Sequence, residues 1–361
     1  MKILHIHPSM AGGGIEAMIC ALANEMSISQ DVTVCSIFEP LDTDVFWYKL
    51  MPSVKKVSLG KTKRGFSIKT VIQVFNVIRK GHYDVVNIHG MLYNYLLAVL
   101  LLHNKVKLFY TVHSDAKMEN TGWDMKLFPL KQLCFAKGWL HPITISNASQ
   151  ESFDNLYHVP SNLVFNGIPR PILSDADPVK AYRLTNETKV FIHAGRISTP
   201  KNQLVLCKVF KRLIDEGHDV VLLVAGQKQM DDIFTSIEPY FSNRIVYLGE
   251  RNDIPQLMAC GDAMCLPSIW EGLPITLLEA LSVGCVPICS NVGGIPNVIV
   301  SGVNGFLSDS SSEEDYYKTM KTFLALSNDE YLLIKDTCRN SFSEYDIVNT
   351  ATSYINTYKS V

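Results

Sequence analysis

The chain has 361 residues, 47% of them hydrophobic and 19% charged, and a formal net charge of −2. That profile reads as a soluble globular protein of roughly two domains at about 150 residues each, with core enough to fold without disulfide or metal staples. No DNA or RNA motif accompanies its charged residues, so no nucleic-acid partner is expected.

The opening "MKILHIHPS" carries a charge but no long apolar core and alternates like a strand, so it is not read as a signal peptide. After the strand "KILHIH" comes "SMAGGGIEAM", in which Gly12-x-Gly14-x-x-Ala17 matches the dinucleotide fingerprint. In that fingerprint the first glycine follows its strand almost at once; here "PSMA" intervenes, which argues against a nicotinamide cofactor. Glu16 opens the helix that follows, where an acid suits the helix dipole.

The run continues as "VTVCSI", the helical "TVIQVFNVIRK", "DVVNIH", a second apolar helix, "KLFYTVH" and "PITIS". Short apolar strands alternating with helices predict a parallel sheet covered on both faces. The longest apolar stretch, 96–104, is too short to span a bilayer. Residues 54–80 hold Lys55, Lys56, Lys61, Lys63, Arg64, Lys69, Arg79 and Lys80 and no acid, and 125–142 mix Lys126, Lys131 and Lys137 with Leu127, Phe128, Phe135 and Trp139. Basic residues interleaved with aromatics suit docking on an anionic membrane surface, with Lys61, Lys63, Arg64, Lys131 and Trp139 as candidates; the alternative is a solvated helix face over ordinary core aromatics. Residues 1–170 carry 17 basic against 12 acidic side chains, and 171–361 carry 16 against 23. Opposite signs on two lobes imply different partners for each.

"GIPRPILSDADPVKAYRLTNETK", 167–189, holds three prolines and little apolar periodicity, which reads as a linker. The pattern then restarts with "KVFIHAGR", "DVVLLVAGQ", "RIVYLGE", "DAMCLP" and "CVPICS". The expected domains are 1–168 and 189–344, joined by 169–188. The amphipathic segment 345–361 is expected to cross back and complete the first domain, the alternative being that it closes the second. The nine cysteines form no C-x-x-C pair, and several lie in apolar runs, so they read as buried thiols in a reduced compartment. No second Cys/His pair faces Cys285-x3-Cys289 at zinc spacing, so no metal site is expected.

The richest stretch is "LPSIWEGLPITLLEALSVGCVPICSNVGGIPNVIVSGVNGFL", 266–307. It starts at the carboxyl end of a strand, where open α/β sheets bind ligands. A loop carries Glu271; then Gly272-Leu273-Pro274 leads into the helix "ITLLEALSVG", with Pro274 at or near its first turn and Gly284 as its stop. The free amides around Leu273, Pro274, Ile275 and Thr276 would point out of a helix N-terminus, a phosphate site in physical terms. Glu279 lies one turn in, where an acid also suits the dipole; Glu271 has no such explanation. Two carboxylates flanking a phosphate-binding turn suit a ligand with hydroxyls on both sides of its phosphates.

Glu271-x7-Glu279, followed by "GCVPICSNVGGIPNVIVSGVNGFL", resembles the family 4 retaining glycosyltransferases of GT-B fold. The resemblance spans nearly the whole chain through "GGGIE", "TVHSD", "ITISNASQES", "VFNGI", "HAGRISTPKNQ" and "YLGERNDI". It implies two Rossmann-like doubly wound domains facing across a cleft, the first binding the acceptor and the second a nucleotide-sugar. Arg196 and Lys201 resemble the basic pair on the diphosphate. Glu271, with Gly272, resembles the acid on the donor sugar, and Glu279 the one on the ribose. The segment with Gly249, Arg251 and Ile254 resembles the strap around the base, and His113 the histidine near the transferred sugar. The turn at Gly13 and Gly14 would let the backbone approach the phosphates.

The implied reaction is transfer from a nucleotide-sugar, expected to be a UDP-sugar, to an acceptor hydroxyl with retained configuration. The acceptor is expected to be a lipid-linked glycan or an oligosaccharide, in polysaccharide biosynthesis. The leaving diphosphate would take the acceptor's proton, and no cofactor or metal is required. Asp42-x-Asp44 and Asp175-x-Asp177 match the D-x-D metal motif of the other glycosyltransferase fold, but both lie in polar loop sequence and are weak. The expected location is cytoplasmic, peripheral at the inner face of the cytoplasmic membrane. Competing readings are a non-catalytic nucleotide-sugar-binding subunit of a glycan synthase and a GT-B-fold sugar-nucleotide epimerase.

Overall fold

A computed structural model describes residues 1–63 and 65–361; Arg64, a candidate above, lies outside the described residues. The chain forms two compact units, Met1–Pro169 with Glu344–Val361, and Arg170–Ser343.

The first unit is built on a parallel sheet of seven strands. They are β1 (Lys2–His7), β2 (Asp31–Phe38), β3 (Lys55–Lys61), β4 (Val85–His89), β5 (Lys107–Val112), β6 (His141–Thr144) and β7 (Asn162–Leu163), in the order β3-β2-β1-β4-β5-β6-β7. The central strands are buried along nearly their whole length, as expected where both faces are covered. Connections from β1 run outward to β2 and, later in the chain, from β4 outward the other way. The order therefore reverses between β1 and β4, and the loops leaving those strands diverge.

Helix Ile347–Lys359 belongs to this unit. Its apolar residues at helical spacing, Ile347, Ala351, Tyr354 and Tyr358, share one core cluster with Ile3 of β1, Val85 of β4 and Phe109 of β5. The Tyr358 hydroxyl accepts a hydrogen bond from Asn87 Nδ2 at 2.8 Å, and its ring lies 4.8 Å from that of Phe109. Asp346 caps the helix start, and residues 168 and 346 bridge in parallel.

The second unit repeats the plan with six parallel strands: β8 (Lys189–Ala194), β9 (Val220–Ala225), β10 (Ile245–Gly249), β11 (Ala263–Leu266), β12 (Val286–Ser290) and β13 (Phe306–Ser308). Their order is β10-β9-β8-β11-β12-β13, so the reversal falls between β8 and β11. Among the described residues no helix is long and apolar enough to cross a membrane.

Two sequence expectations for the membrane-facing surface need correcting. Lys131 is only 3% exposed: its ammonium bonds Asn120 Oδ1 at 2.6 Å and pairs with Asp124 at 3.5 Å. An inward-facing lysine is held by a carboxylate that the sequence spacing did not reveal. Trp139 is half-buried, stacked on His103 with ring centroids 4.5 Å apart and packed against the core. Phe135 is core as well. Exposed aromatics in or beside these two segments are instead Phe66 and Trp123, 40% and 42% exposed, with ring centroids 4.7 Å apart. Lys126 Nζ lies 4.6 Å from the Trp123 ring. Lys63 and Lys69 are exposed, and Lys61 Nζ turns back onto the Gly65 carbonyl.

Candidate functional site

In the second unit, the loop after β8 (195–202) and the loop after β11 (267–274) leave neighbouring strands at the switch point. They are tied to each other by hydrogen bonds to backbone carbonyls. Ile269 N–H donates to the Pro200 carbonyl at 2.8 Å, and Asn202 Nδ2 donates to the carbonyls of Pro267 and Ser311 at 3.1 and 2.9 Å. Asn202 takes the left-handed conformation, φ 56°, which asparagine tolerates better than most residues. Beneath them a buried chain runs inward. His193 Nδ1–H donates to the Cys265 carbonyl at 3.0 Å, which leaves Nε2 to accept from Gln203 Nε2 at 3.1 Å. Gln203 Nε2 also donates to the Arg196 carbonyl at 2.9 Å.

On this frame Lys201 Nζ meets Glu271 Oε1 at 2.5 Å, and Ser268 Oγ donates to the same oxygen at 2.6 Å. Both charged side chains are largely buried, at 18% and 9% exposure. Arg196 is exposed, and its guanidinium has no partner among the described residues. Trp270, 54% exposed, flanks Glu271.

Helix Ile275–Val283 starts directly after the loop, with Pro274 as its N-cap and Gly284 in the left-handed C-cap position, φ +74°. Its first-turn amides, at Ile275 and Thr276, have no intrahelical acceptor. Thr276 Oγ1 is buried without a partner among the described residues. Glu279, half-buried and unpaired among those residues, has its carboxyl pushed up to about 7 by burial.

Glycines that sequence reading passed over hold the Glu271 loop. A Cβ on Gly293, whose φ is +56°, would sit 1.7 Å from the Glu271 carbonyl oxygen, and one on Gly294 would sit 2.5 Å from that of Gly272. Gly294 N–H donates to the Gly272 carbonyl at 2.8 Å. Gly226, φ +152°, lies equally close to the Gly195 carbonyl, and its N–H bonds the carbonyl of Gly249 at the end of β10. The repeated Gly-Gly in "NVGGIP" was the available signal. Arg251 is engaged by Asp253 through two hydrogen bonds at 2.8 and 2.6 Å, and Ile254 opens the next helix.

In the first unit, His113 follows β5. Its backbone N–H donates to Glu119 Oε1 at 2.7 Å, as does that of Ser114 at 2.9 Å, which pins the loop. The His113 ring continues a row: His5 Nδ1 is 3.1 Å from His89 Nε2, and His89 Nδ1 is 2.8 Å from His113 Nε2. Burial, with the neighbouring His7 adding to it, lowers His113 to about 3, so it is neutral at physiological pH. Gly13 is the N-cap of helix Gly14–Met26 in extended backbone, φ 178°, which any residue adopts; the turn does not need glycine for its conformation. A Cβ there would meet only the movable carboxylate of Glu16.

Among the described residues no group of three or more His, Cys, Asp or Glu side chains is placed to hold a metal ion. Asp44 is a buried helix cap position, and the Asp177 carboxylate accepts from the amides of Val179 and Lys180.

Two outcomes follow from this geometry. Gly293→Ala should destabilise the second unit by about 2 kcal/mol or more, from a strained φ and a backbone clash, while Gly272→Ala, which meets nothing, stays within about 1 kcal/mol. Urea unfolding of both variants measures this; equal midpoints would refute the clamp. Glu279 has a folded pKa of about 7 against an ordinary 4.5, so the native state holds the extra proton between them. Its contribution to stability is full below about 4.5 and is lost as pH rises towards 7. The stability difference between wild type and Glu279→Gln should therefore change across that window and be flat above it; parallel profiles would contradict the assignment.

The comparisons agree on one family. Residues 12–170 match the model described as Glycosyltransferase Family 4, and residues 177–337 match Glycosyl transferases group 1. The chain is 26% identical over 316 residues to the UDP-Gal:alpha-D-GlcNAc-diphosphoundecaprenol alpha-1,3-galactosyltransferase of Escherichia coli, covering 83% of this chain and 80% of that protein. A glycosyltransferase structure from Rickettsia africae superposes with TM-score 0.83 at 16% identity, over 99% of this chain and 98% of the other. HepE of Anabaena in complex with UDP gives 0.80 at 20% identity over the full length of both. The fold is GT-B, two Rossmann-like parallel-sheet domains, and the chain belongs to the family 4 glycosyltransferases.

Proposed function

We propose that this glycosyltransferase is a retaining hexosyltransferase that moves a sugar from a UDP-sugar to a hydroxyl of a lipid-linked glycan. The observation that carries the reading is the cluster at the second unit's switch point: exposed Arg196, the Lys201–Glu271 pair, and the open helix start at Ile275 and Thr276. Two cationic side chains and an open helix start on adjacent loops of one switch point suit a diphosphate.

Arg196, Lys201 and the amides at Leu273, Ile275 and Thr276 bind the donor's phosphates. Glu271 and Gly272 hold the donor sugar. Glu279 accepts from the ribose hydroxyls; an unpaired carboxylate raised to about 7 gains most from such donors. The backbone from Gly249 through Arg251 to Ile254 straps the base, and His113 donates to the transferred sugar or its phosphate. As the bond from C1 to the phosphate oxygen breaks, charge collects on the leaving diphosphate, where these groups stabilise it. The acceptor oxygen then bonds C1 on the same face, and its proton passes to the leaving phosphate oxygen. The chain's own cations answer the charge, so the proposal is metal-independent.

Relatives named for UDP-Gal and a diphosphoundecaprenol acceptor, and for UDP, support the donor and acceptor classes. The first unit supports a peripheral position at the inner face of the cytoplasmic membrane. Phe66, Trp123, Ile68, Met118 and Met125 are exposed there, with Lys63, Lys69 and Lys126 also in solvent. Apolar side chains among lysines suit an anionic lipid surface.

Arg196→Ala tests the donor site cleanly, because the side chain supports nothing else. Loss of a charged hydrogen bond of about 1.5–3 kcal/mol should weaken UDP binding by calorimetry about tenfold to a hundredfold, at unchanged melting temperature. Lys201→Ala should abolish transfer from UDP-sugars; unchanged binding and transfer in both variants would end this reading. Wild-type protein should float with phosphatidylglycerol-containing vesicles at low salt, and Phe66→Ala with Trp123→Ala should remain at the bottom of the gradient. Folded wild-type protein that fails to float would remove the membrane from the proposal.

A further inference from the structure

Three imidazoles form a row that runs from inside the first sheet towards its carboxyl edge: His5 within β1, His89 at the end of β4 and His113 after β5. Ring centroids are 5.4 Å apart for His5 and His89 and 5.1 Å for His89 and His113. His5 and His89 are fully buried. Burial lowers His5 to about 4 and His89 well below the ordinary histidine value, so both are neutral.

A neutral imidazole carries one N–H. Two nitrogen-to-nitrogen bonds therefore admit only two arrangements, with every proton on Nδ1 or every proton on Nε2. They differ at the buried end. His5 Nε2 is sealed from solvent and has no partner among the described residues. If it carried the proton, a buried N–H would be left without an acceptor; if not, only a lone pair is left over. Orphaned donors are the rarer and costlier of the two. The protons thus lie on Nδ1 of His5, His89 and His113, each of the first two pointing outward to the next ring.

We propose that His89, with its proton direction set by His5, is a positioning residue that locks His113 in the Nδ1–H tautomer. His113 Nδ1 is the ring nitrogen with no protein partner among the described residues, so the lock presents a fixed N–H donor to an acceptor oxygen of the ligand, a phosphate or a sugar hydroxyl. This use of the donor rests on the transferase reading; the tautomer itself does not. Free histidine in water favours the Nε2–H form, so without His89 the presented atom would become a bare acceptor facing an anion.

The test is long-range proton–nitrogen correlation NMR on the full chain labelled with nitrogen-15 histidine, near neutral pH. The His113 signals are identified by their loss in His113→Asn. Wild type should show His113 protonated at Nδ1 and bare at Nε2. His89→Phe should move His113 to the Nε2–H form and lower transfer about tenfold to a hundredfold, the worth of a hydrogen bond to a charged oxygen. His89→Asn, whose amide N–H stands where Nδ1–H stood, should restore the tautomer and most of the rate. A wild-type His113 protonated at Nε2 overturns the proposal even if no variant folds, and so does an unchanged tautomer in His89→Phe. The expected tautomers without any transfer activity would support the lock and count against the transferase reading alone.

Discussion

The ion pair between Lys201 and Glu271 joins two loops that would otherwise part company. Their strands, β8 and β11, are neighbours in the sheet, but the chain leaves them towards opposite faces, so a crevice opens above the pair. Nothing in the sheet fills that crevice. Each loop supplies what the other lacks: a cation for a carboxylate, the Pro200 carbonyl for the Ile269 amide, and the Asn202 amide for the Pro267 carbonyl. Those bonds hold the loop that carries Arg196 against the loop that leads into helix Ile275–Val283. Close backbone approach makes this possible, because any side chain at Gly293 or Gly226 would drive into a carbonyl of the loop it supports.

A largely buried ion pair contributes little net stability, since desolvation of both charges offsets their attraction. Its value here is one of placement. Lys201 stays aimed, while Glu271 keeps its second oxygen available. Around the pair lie groups left without a partner among the described residues: the Thr276 hydroxyl, the raised carboxyl of Glu279, and the guanidinium of Arg196. Each is unfavourable or idle in the isolated protein. Under the proposed function, a nucleotide-sugar would offer each of them a complement, with donors for the acid and oxygens for the cation and hydroxyl.

Much of this was legible in the sequence because it is local. Apolar runs such as "VVLLVA" and the switch to helical spacing after "GLP" mark the strands and the helix of the site, and Glu271 and Glu279 stand out by spacing alone. Long-range pairing was not legible. Lys131 looked like a surface lysine because its partner, Asp124, lies on a separate short segment, and Trp139 looked exposed because its cover, His103, comes from another helix. The glycines of the Gly13 turn were conspicuous in sequence, and Gly13 proves extended; the glycines under positive φ that brace the site loops are Gly226 and Gly293. A glycine is conspicuous in sequence, but the carbonyl it makes room for is not.

The two units solve the same problem in the same way. In the second, a buried histidine on the first strand, His193, sends its Nδ1–H across the switch point to β11, where a carbonyl allows no other direction. In the first, a buried histidine on the first strand, His5, reaches across the equivalent switch point to β4, where it meets another imidazole in place of a carbonyl. A carbonyl ends the chain of bonds. An imidazole passes the direction on, from His89 to His113. The first unit thereby carries a polar orientation from the middle of its sheet out to the ring that leaves the strand end, using neutral groups that burial keeps from charging. A charged relay in the same position would need a counter-ion beside it. A neutral one needs only that its buried end be an acceptor, and His5 Nε2 meets that condition.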